Sequence, residues 1–306
     1  MKRIDAFSKQ TDEQSKIDFA LEDSGTWSIR WAKQELLETK LDEKLIQKVH
    51  FKPFDFKYTY YTGKSSGFLG RPAGAVQNLM LQNNIGLVCY RTCGVNGLDN
   101  IFIANGLIDL HLVGSGSTIF PLKDSMQSEN LNLEFRKFID KHYKEHFSPE
   151  QILGYIYAVL FHKEYREKYL DFLKIDFPKI PFVESKEKFL EFSELGSSLI
   201  SLHLLQDDAL DSSIGEPLYN DKNDKNLIIE KPSYNAESQR LFINKSLYFD
   251  KVDSSVWEYK IGGYQVLDKY LKSHKGEAID YTHFQKIIQT LHKSLEIESK
   301  ISTIPL

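Results

Sequence analysis

This sequence predicts an α+β fold: a β-rich half packed on a helical centre, followed by a mixed hairpin-and-helix portion. Three observations carry that expectation. Residues 49–63, 85–92 and 101–114 are runs of β-branched and aromatic residues bounded by glycine and polar loops, as strands require. Residues 148–183, SPEQILGYIYAVLFHKEYREKYLDFLKIDFPKIPFV, join a start signal, an apolar helix, an amphipathic helix and a proline stop without a gap. Beyond residue 225, short β-like runs alternate with helical periodicity.

Composition narrows the class. The chain has 306 residues, 41% hydrophobic and 27% charged, with a net charge of −4, so any nucleic-acid surface has to be a local patch. Length allows one large domain or two ordinary ones. No apolar run is long enough to span a bilayer, and MKRIDAFSKQTDEQSK lacks the apolar centre of a signal peptide. Cys89 and Cys93 are too few for a disulfide framework and fit a reducing compartment, so a cytoplasmic location with no membrane partner is expected.

Taken in order, residues 1–24 are polar and without periodicity, which reads as a frayed lead-in. Trp27, Ile29, Trp31, Leu36 and Leu37 suggest a helix reaching about residue 48. VHFKPFDFKYTYYTG then reads as a strand entering a turn at Gly63, and KSSGFLGRP as a loop. Pro72 opens a short helix, IGLVCYRT and IFIANGLIDLHLVG read as strands of one sheet, and TIFPL closes the β-rich half. A helix over 131–147 leads to the central stretch, where Ser148 and Gln151 have capping-box spacing and Pro149 suits the first turn. Ile152 to Phe161 leave almost no polar face, so that helix belongs to the core.

Phe189, Phe192, Leu195, Leu199 and Leu202 mark a long helix over 185–206, and 207–225 is a surface loop or linker. NLIIEKP and RLFINKSLYF read as a hairpin pair, VWEYKIGGYQVLDKYL as a glycine-broken helix, and Phe284 to Leu295 as a terminal helix capped by Asp280.

Several patterns invite a chemical reading. HYKEH at 142–146 has the H-x-x-E-H spacing in which His142 and His146 bind zinc and Glu145 activates water, but such short patterns also arise by chance at helix ends. Asp176, Glu184 and Lys186 loosely resemble the acidic residues and lysine of metal-dependent nucleases, and solvated charges after a proline turn explain them equally well. GKS at 63–65 lacks the glycine five residues upstream that a phosphate-binding loop needs, since Tyr58 stands there.

What survives is electrostatic. Lys52, Lys57, Lys64 and Arg71 against Asp55 alone make residues 52–71 net +3 in an acidic chain, with Thr62, Ser65 and Ser66 as small hydrogen-bonding neighbours. A loop that contacts phosphates and reads base edges has this make-up, and so does a plain solvated basic loop.

FKPFDFKYTYYTGKSSGFLGRP, IYAVLFHKEYREKYLDFLKIDFPKIPF, ELGSSLISLHLL and VWEYKIGGYQVLDKYLKSHKG together resemble the C-terminal region of Type ISP restriction-modification enzymes and related adenine-specific Type IIG enzymes. The resemblance covers about residues 45–300. It implies a target recognition domain that reads double-stranded DNA without catalysis of its own. Within the parent enzyme, methyltransferase and nuclease domains would be its neighbours, with S-adenosylmethionine, and magnesium for cleavage, serving those domains. On this reading the chain is an excised or truncated fragment. Residues 1–48 form the lead-in from a methyltransferase domain, 49–210 the recognition domain (β-rich to 125, helical from 126) and 211–306 its mixed C-terminal portion. The loops at 62–71, 91–97 and 111–118 would face DNA, with Lys57, Lys64, Ser65, Arg71, Arg91, His111 and Ser115 as the contacting residues and no catalytic, cofactor or metal residue. The alternative is an enzyme using either Asp176, Glu184 and Lys186 or the HYKEH residues.

Overall fold

The computed structural model describes residues 1–94, 97–213, 215–221, 223 and 225–306. Residues 1–24, expected as a lead-in without regular structure, form two helices, α1 (Lys2–Lys9) and α2 (Asp12–Phe19). Their only buried side chains are Phe7 and Ser15, too few to set a period. Phe7 meets Phe19 and Phe68 edge-on at 5.6 and 6.2 Å. Helix α3 (Ile29–Glu38) stops ten residues earlier than its apolar spacing suggests. Lys40 and Leu41 take left-handed backbone there, which ends a helix.

The aromatic stretch after it is a hairpin and not one strand. Strands β1 (Ile46–Lys52) and β2 (Asp55–Tyr60) pair antiparallel around Pro53 and Phe54. Proline lacks the ladder donor, and Phe54 turns with φ +61°, so the strand cannot continue through them. Phe54 is thereby driven into the core, edge-on to Phe102 at 5.3 Å.

After α4 (Gly74–Met80), strands β3 (Gly86–Cys89) and β4 (Ile101–Ala104) pair as expected. The short β5 (Leu107–Ile108) leaves that sheet and pairs parallel with β1, and β6 (Thr118–Pro121) completes the order β4-β3-β6.

The helical centre consists of α5 (Leu133–Tyr143), α6 (Pro149–Phe161), α7 (Lys163–Lys168), α8 (Leu170–Leu173) and α9 (Lys186–His203). The capping box of α6 is formed on both sides: Ser148 Oγ accepts from the Gln151 amide at 3.1 Å, and Gln151 Oε1 from the Ser148 amide at 2.9 Å. Helices α6 and α9 cross with backbone on backbone. A Cβ on Gly196 would overlap the Gly154 carbonyl oxygen, and one on Gly154 would lie 2.5 Å from the Ser193 carbonyl oxygen. Tyr155 donates to the Pro181 carbonyl at 2.8 Å and accepts from the Val183 amide at 3.0 Å, tying the proline stop back onto α6.

In the C-terminal portion, β7 (Leu218–Tyr219), β8 (Ser233–Asn235), β9 (Arg240–Phe242) and β10 (Leu247–Phe249) form a sheet in the order β7-β10-β9-β8. The hairpin lies wholly within RLFINKSLYF, because Asn244 Oδ1 accepts from the Ser246 and Leu247 amides and builds the turn. The NLIIEKP run forms no strand itself: Ile228 bridges Ala278, the Glu230 amide donates to the Ile243 carbonyl at 3.3 Å, and β8 directly after it pairs with β9. The expected glycine-broken helix is instead α10 (Ser254–Trp257), the hairpin β11 (Lys260–Ile261) and β12 (Tyr264–Gln265), and α11 (Val266–Ser273). Gly262 and Gly263 have φ +63° and +73°, the backbone of a two-residue hairpin turn. Helix α12 (Tyr281–Ile301) starts at Asp280 as expected, whose carboxylate accepts from the His283 amide at 3.0 Å.

Helix α12 runs through both large cores. Its first half packs with Val88, Phe102, Leu241 and Leu267, and its end, through Ile301, with α5, α6 and α9. A third, small core joins α1 and α3 to Tyr60. No helix among the described residues is long and apolar enough to cross a membrane.

Candidate nucleic-acid interface

The basic loop is shaped from behind. The buried Glu35 of α3 accepts from the Thr62 hydroxyl and the Phe68 amide, and the Trp27 indole donates to the Phe68 carbonyl at 2.9 Å. The N-terminal helices therefore hold loop 62–71. Arg71 is exposed at its end, on a groove of about 230 Å³ whose opposite wall carries Asp109 and Leu110. Ser65 is exposed, while Lys64 is in an ion pair with Glu38 at 2.8 Å. That contact holds the Glu38 carboxyl below its usual range and raises the Lys64 ammonium.

Loop 107–117 is the hub. The Gly116 and Ser117 amides donate to the Leu110 carbonyl at 3.1 and 2.8 Å and close it into a compact turn that leaves His111 and Ser115 exposed. Lys52 supports it by donating to the His111 carbonyl oxygen, although desolvation lowers the pKa of this mostly buried ammonium. On the other flank lies the Gly262–Gly263 turn, where a Cβ on Gly262 would overlap the Val113 backbone. The same turn donates from Gly262 to the Asp99 carbonyl oxygen and from Gly263 to the Asp99 carboxylate at 3.0 Å. A second groove, of about 380 Å³, opens among Thr92, Asp99, Asn100, Ser115 and these glycines.

A stripe of cations and rings runs beside the hub. Lys57 lies 4.2 Å from the Phe51 ring centre, Lys52 lies 5.0 Å from Phe51 and 4.9 Å from Tyr264, and Lys269 lies 5.3 Å from Tyr264. Tyr264 and Lys269 were missed from the sequence because the region reads as a broken helix. The signal was present: two glycines between Ile261 and Tyr264 are a hairpin signature.

Of the residues expected to contact DNA, Arg71 lies in a groove with residues 107–110, His111 and Ser115 are exposed further along the same loop with Ser115 on the second groove, and Lys57 is on the stripe of cations and rings. Arg91 stands apart in an exposed ion pair with Asp176 at 2.9 Å, and residues 95 and 96 of the expected 91–97 loop lie outside the described residues. The enzyme alternative is not supported. Asp176 is held below the usual carboxylate range by the Phe177 amide and by Arg91, and Lys186 pairs with Glu145. In HYKEH, His146 turns to Asp140 at 2.9 Å and His142 stacks on Phe138 at 5.5 Å. Among the described residues no group of three His, Cys, Asp or Glu side chains could hold a metal ion. Cys89 and Cys93 are buried free thiols, and desolvation pushes Cys89 up to about 12, far from a reactive thiolate.

The family profile described as Type ISP C-terminal specificity domain matches residues 1–299. The chain belongs to that family. Its fold is shared with solved structures at low identity. The specificity domain resembles the DrdV–DNA complex with a TM-score of 0.69 at 18% identity, covering 98% of this chain and 32% of that one. It resembles the ATP-dependent Type ISP restriction-modification enzyme LlaBIII bound to DNA at 0.70 and 16%, covering 99% and 21%. The nuclease-deletion mutant of the Type ISP enzyme LlaGI in complex with a DNA substrate mimic aligns at 0.61 and 16%, covering 100% and 30%. The chain thus spans about a fifth to a third of the length of these structures. None of the curated proteins compared matches it.

Proposed function

We propose that this specificity domain reads the sequence of double-stranded DNA for a larger restriction-modification enzyme and carries out no chemistry itself. The observation that carries the reading is that Arg71 lines a groove with residues 107–110 of the loop that also exposes His111 and Ser115, beside the Lys57–Phe51–Lys52–Tyr264–Lys269 stripe. Lysine and arginine neutralise phosphates, and arginine, histidine and serine in rigid loops can hydrogen-bond base edges. Lys64 and Ser65 extend the surface along loop 62–71, and Arg91 is exposed between Tyr90 and Thr92, which line the groove beside Ser115.

In this reading residues 49–125 form the recognition half, 126–210 its scaffold and 211–306 a supporting portion that adds the 262–263 turn. Residues 1–48 lead in from a methyltransferase domain. That domain would flip an adenine and methylate its exocyclic amine from S-adenosylmethionine, a separate nuclease domain would cut with magnesium, and the assembly would act in the cytoplasm.

The test is selection from a randomised duplex pool across a salt series. An enriched asymmetric motif, with affinity falling steeply with salt, is the expected result. Absence of any retained duplex at low salt would defeat the reading.

A further inference from the structure

The groove beside Ser115 differs in chemistry from the rest of the face. Among the described residues none that lines it is lysine, arginine or histidine, and Asp99 lies on its wall, half buried. One oxygen of that carboxylate accepts from the Gly263 amide at 3.0 Å. An ionised carboxylate has about four acceptor positions, so capacity remains.

Beneath it sits Asn100, 4% exposed. Its Nδ2 donates to the Thr92 carbonyl at 3.0 Å, which fixes the carboxamide orientation and makes Oδ1 the atom turned the other way. Asn100 Oδ1 is buried with no hydrogen-bond partner. An unpaired buried carbonyl oxygen is unfavourable by itself, and it sits on a residue that lines this groove beside Asp99. The backbone around it is stiff, because the turn at 262–263 is pinned to both Asp99 and Val113.

A groove of this kind repels phosphate and accepts hydrogen. In the major groove of DNA the hydrogen donors are the exocyclic amino groups, N4 of cytosine and N6 of adenine, whereas guanine and thymine present acceptors there. Resting on the DNA-reading function proposed above, we infer that Asp99, backed by Asn100, is a specificity-determining residue that selects an amino-bearing base. Arg71, Lys57 and Lys269 meet the acceptor-rich phosphates and base edges around it.

The experiment repeats the pool selection with the wild-type chain and with Asp99→Asn, whose foldedness is checked by circular dichroism. It then measures wild-type affinity for the selected duplex after the amino group at each selected adenine or cytosine is replaced in turn by hydrogen, using purine or 2-pyrimidinone nucleosides. The expected outcome is one adenine or cytosine position whose preference is relaxed in Asp99→Asn while the others persist. Removing the amine at that position should weaken wild-type binding about tenfold or more, and should weaken the variant far less. The base-analogue measurement uses the unaltered protein and stands even where the variant does not fold. A wild-type motif that Asp99→Asn reproduces at every position, with no position sensitive to amine loss, overturns this inference and leaves the DNA-reading function intact. A wild-type chain that enriches no motif overturns both.

Discussion

The α6–α9 crossing and the loop 107–117 face both depend on glycine, and they depend on it for opposite reasons. At the crossing, Gly154 and Gly196 are needed because there is no room: two helix backbones touch and any side chain collides with main chain. On the face, Gly263 is needed because the turn requires φ +73°, and nothing lies within 4 Å of where its Cβ would be. The first region is close-packed and tolerates no added atom. The second is open and conformationally set at Gly263, although its neighbour Gly262 is closed against the Val113 backbone.

The same substitution should therefore have very different consequences. Gly196→Ala should destabilise by about 3 kcal/mol or more, because the obstruction is backbone that cannot rotate away. Gly263→Ala should lose only about 1 kcal/mol, the penalty of left-handed backbone for an L-residue. Urea denaturation followed by circular dichroism compares the two, and equal losses would erase the distinction between the regions.

Buried polar groups sharpen the contrast next. His203, at the junction of α6, α9 and α12, shares a hydrogen bond with the Tyr157 hydroxyl at 2.6 Å and another with Ser294 at 3.1 Å, and desolvation lowers it to about 3. A histidine whose folded pKa lies below its unfolded 6.5 contributes stability that is complete above 6.5 and is lost as pH falls toward 3. Between pH 6 and 4.5 it should add a slope of about 1.4 kcal/mol per pH unit. His203→Gln, which keeps an amide able to bond both neighbours, should lack that component. His50 acts in the same direction, lowered to about 4, whereas Glu298, raised by burial, acts in the opposite one. For this reason the informative quantity is the difference in slope between wild type and variant, and identical slopes would show that His203 titrates normally.

The packed region was also the more legible one. Ser148, Gln151 and the apolar run Ile152–Phe161 announce α6 because capping and burial act within a few residues. The loops were half visible: Arg71, His111 and Ser115 stand out as polar residues in glycine-rich loops, and the structure adds that Arg71 shares a groove with residues 107–110. What remained hidden is set by contacts across long stretches of chain. Glu35 shapes loop 62–71 from a helix 27 or more positions away, and the hairpin at 260–265 brings Tyr264 to Lys52. The N-terminal helices went unseen because Phe7 is their one fully buried apolar side chain, with Ile4 and Phe19 only partly buried beside it, too few to make a clear period.

If the open face is where DNA is read, its residues should alter binding without altering stability. Arg71→Ala removes an exposed guanidinium from the groove opposite Asp109. Its expected effect is a loss of affinity of roughly 1 kcal/mol or more, with the slope of log affinity against log salt reduced by about one if the contact is to phosphate. Its denaturation midpoint should match wild type. An Arg71→Ala chain that binds as well as wild type would remove this residue from the interface, and one that unfolds early would move it to the scaffold.

The smallest expected effect concerns Lys64, the one cation of loop 62–71 that is held by a carboxylate. With both partners about half exposed, the Lys64–Glu38 pair contributes little to the fold, since exposed pairs are screened by water and salt. Its consequence for binding is different if Lys64 touches DNA as proposed, because Lys64 then has to exchange Glu38 for a phosphate in the field of that carboxylate. Glu38, like any exposed glutamate, is ionised at neutral pH, so this competition persists there. Glu38→Gln should consequently tighten duplex binding by a few-fold at low salt, lose the advantage as salt rises, and leave stability unchanged. In a Lys64→Ala background the gain should shrink, because the freed lysine is its main source. A gain of the same size in both backgrounds would assign the effect to the field of Glu38 alone and leave Lys64 outside the set of residues that touch DNA.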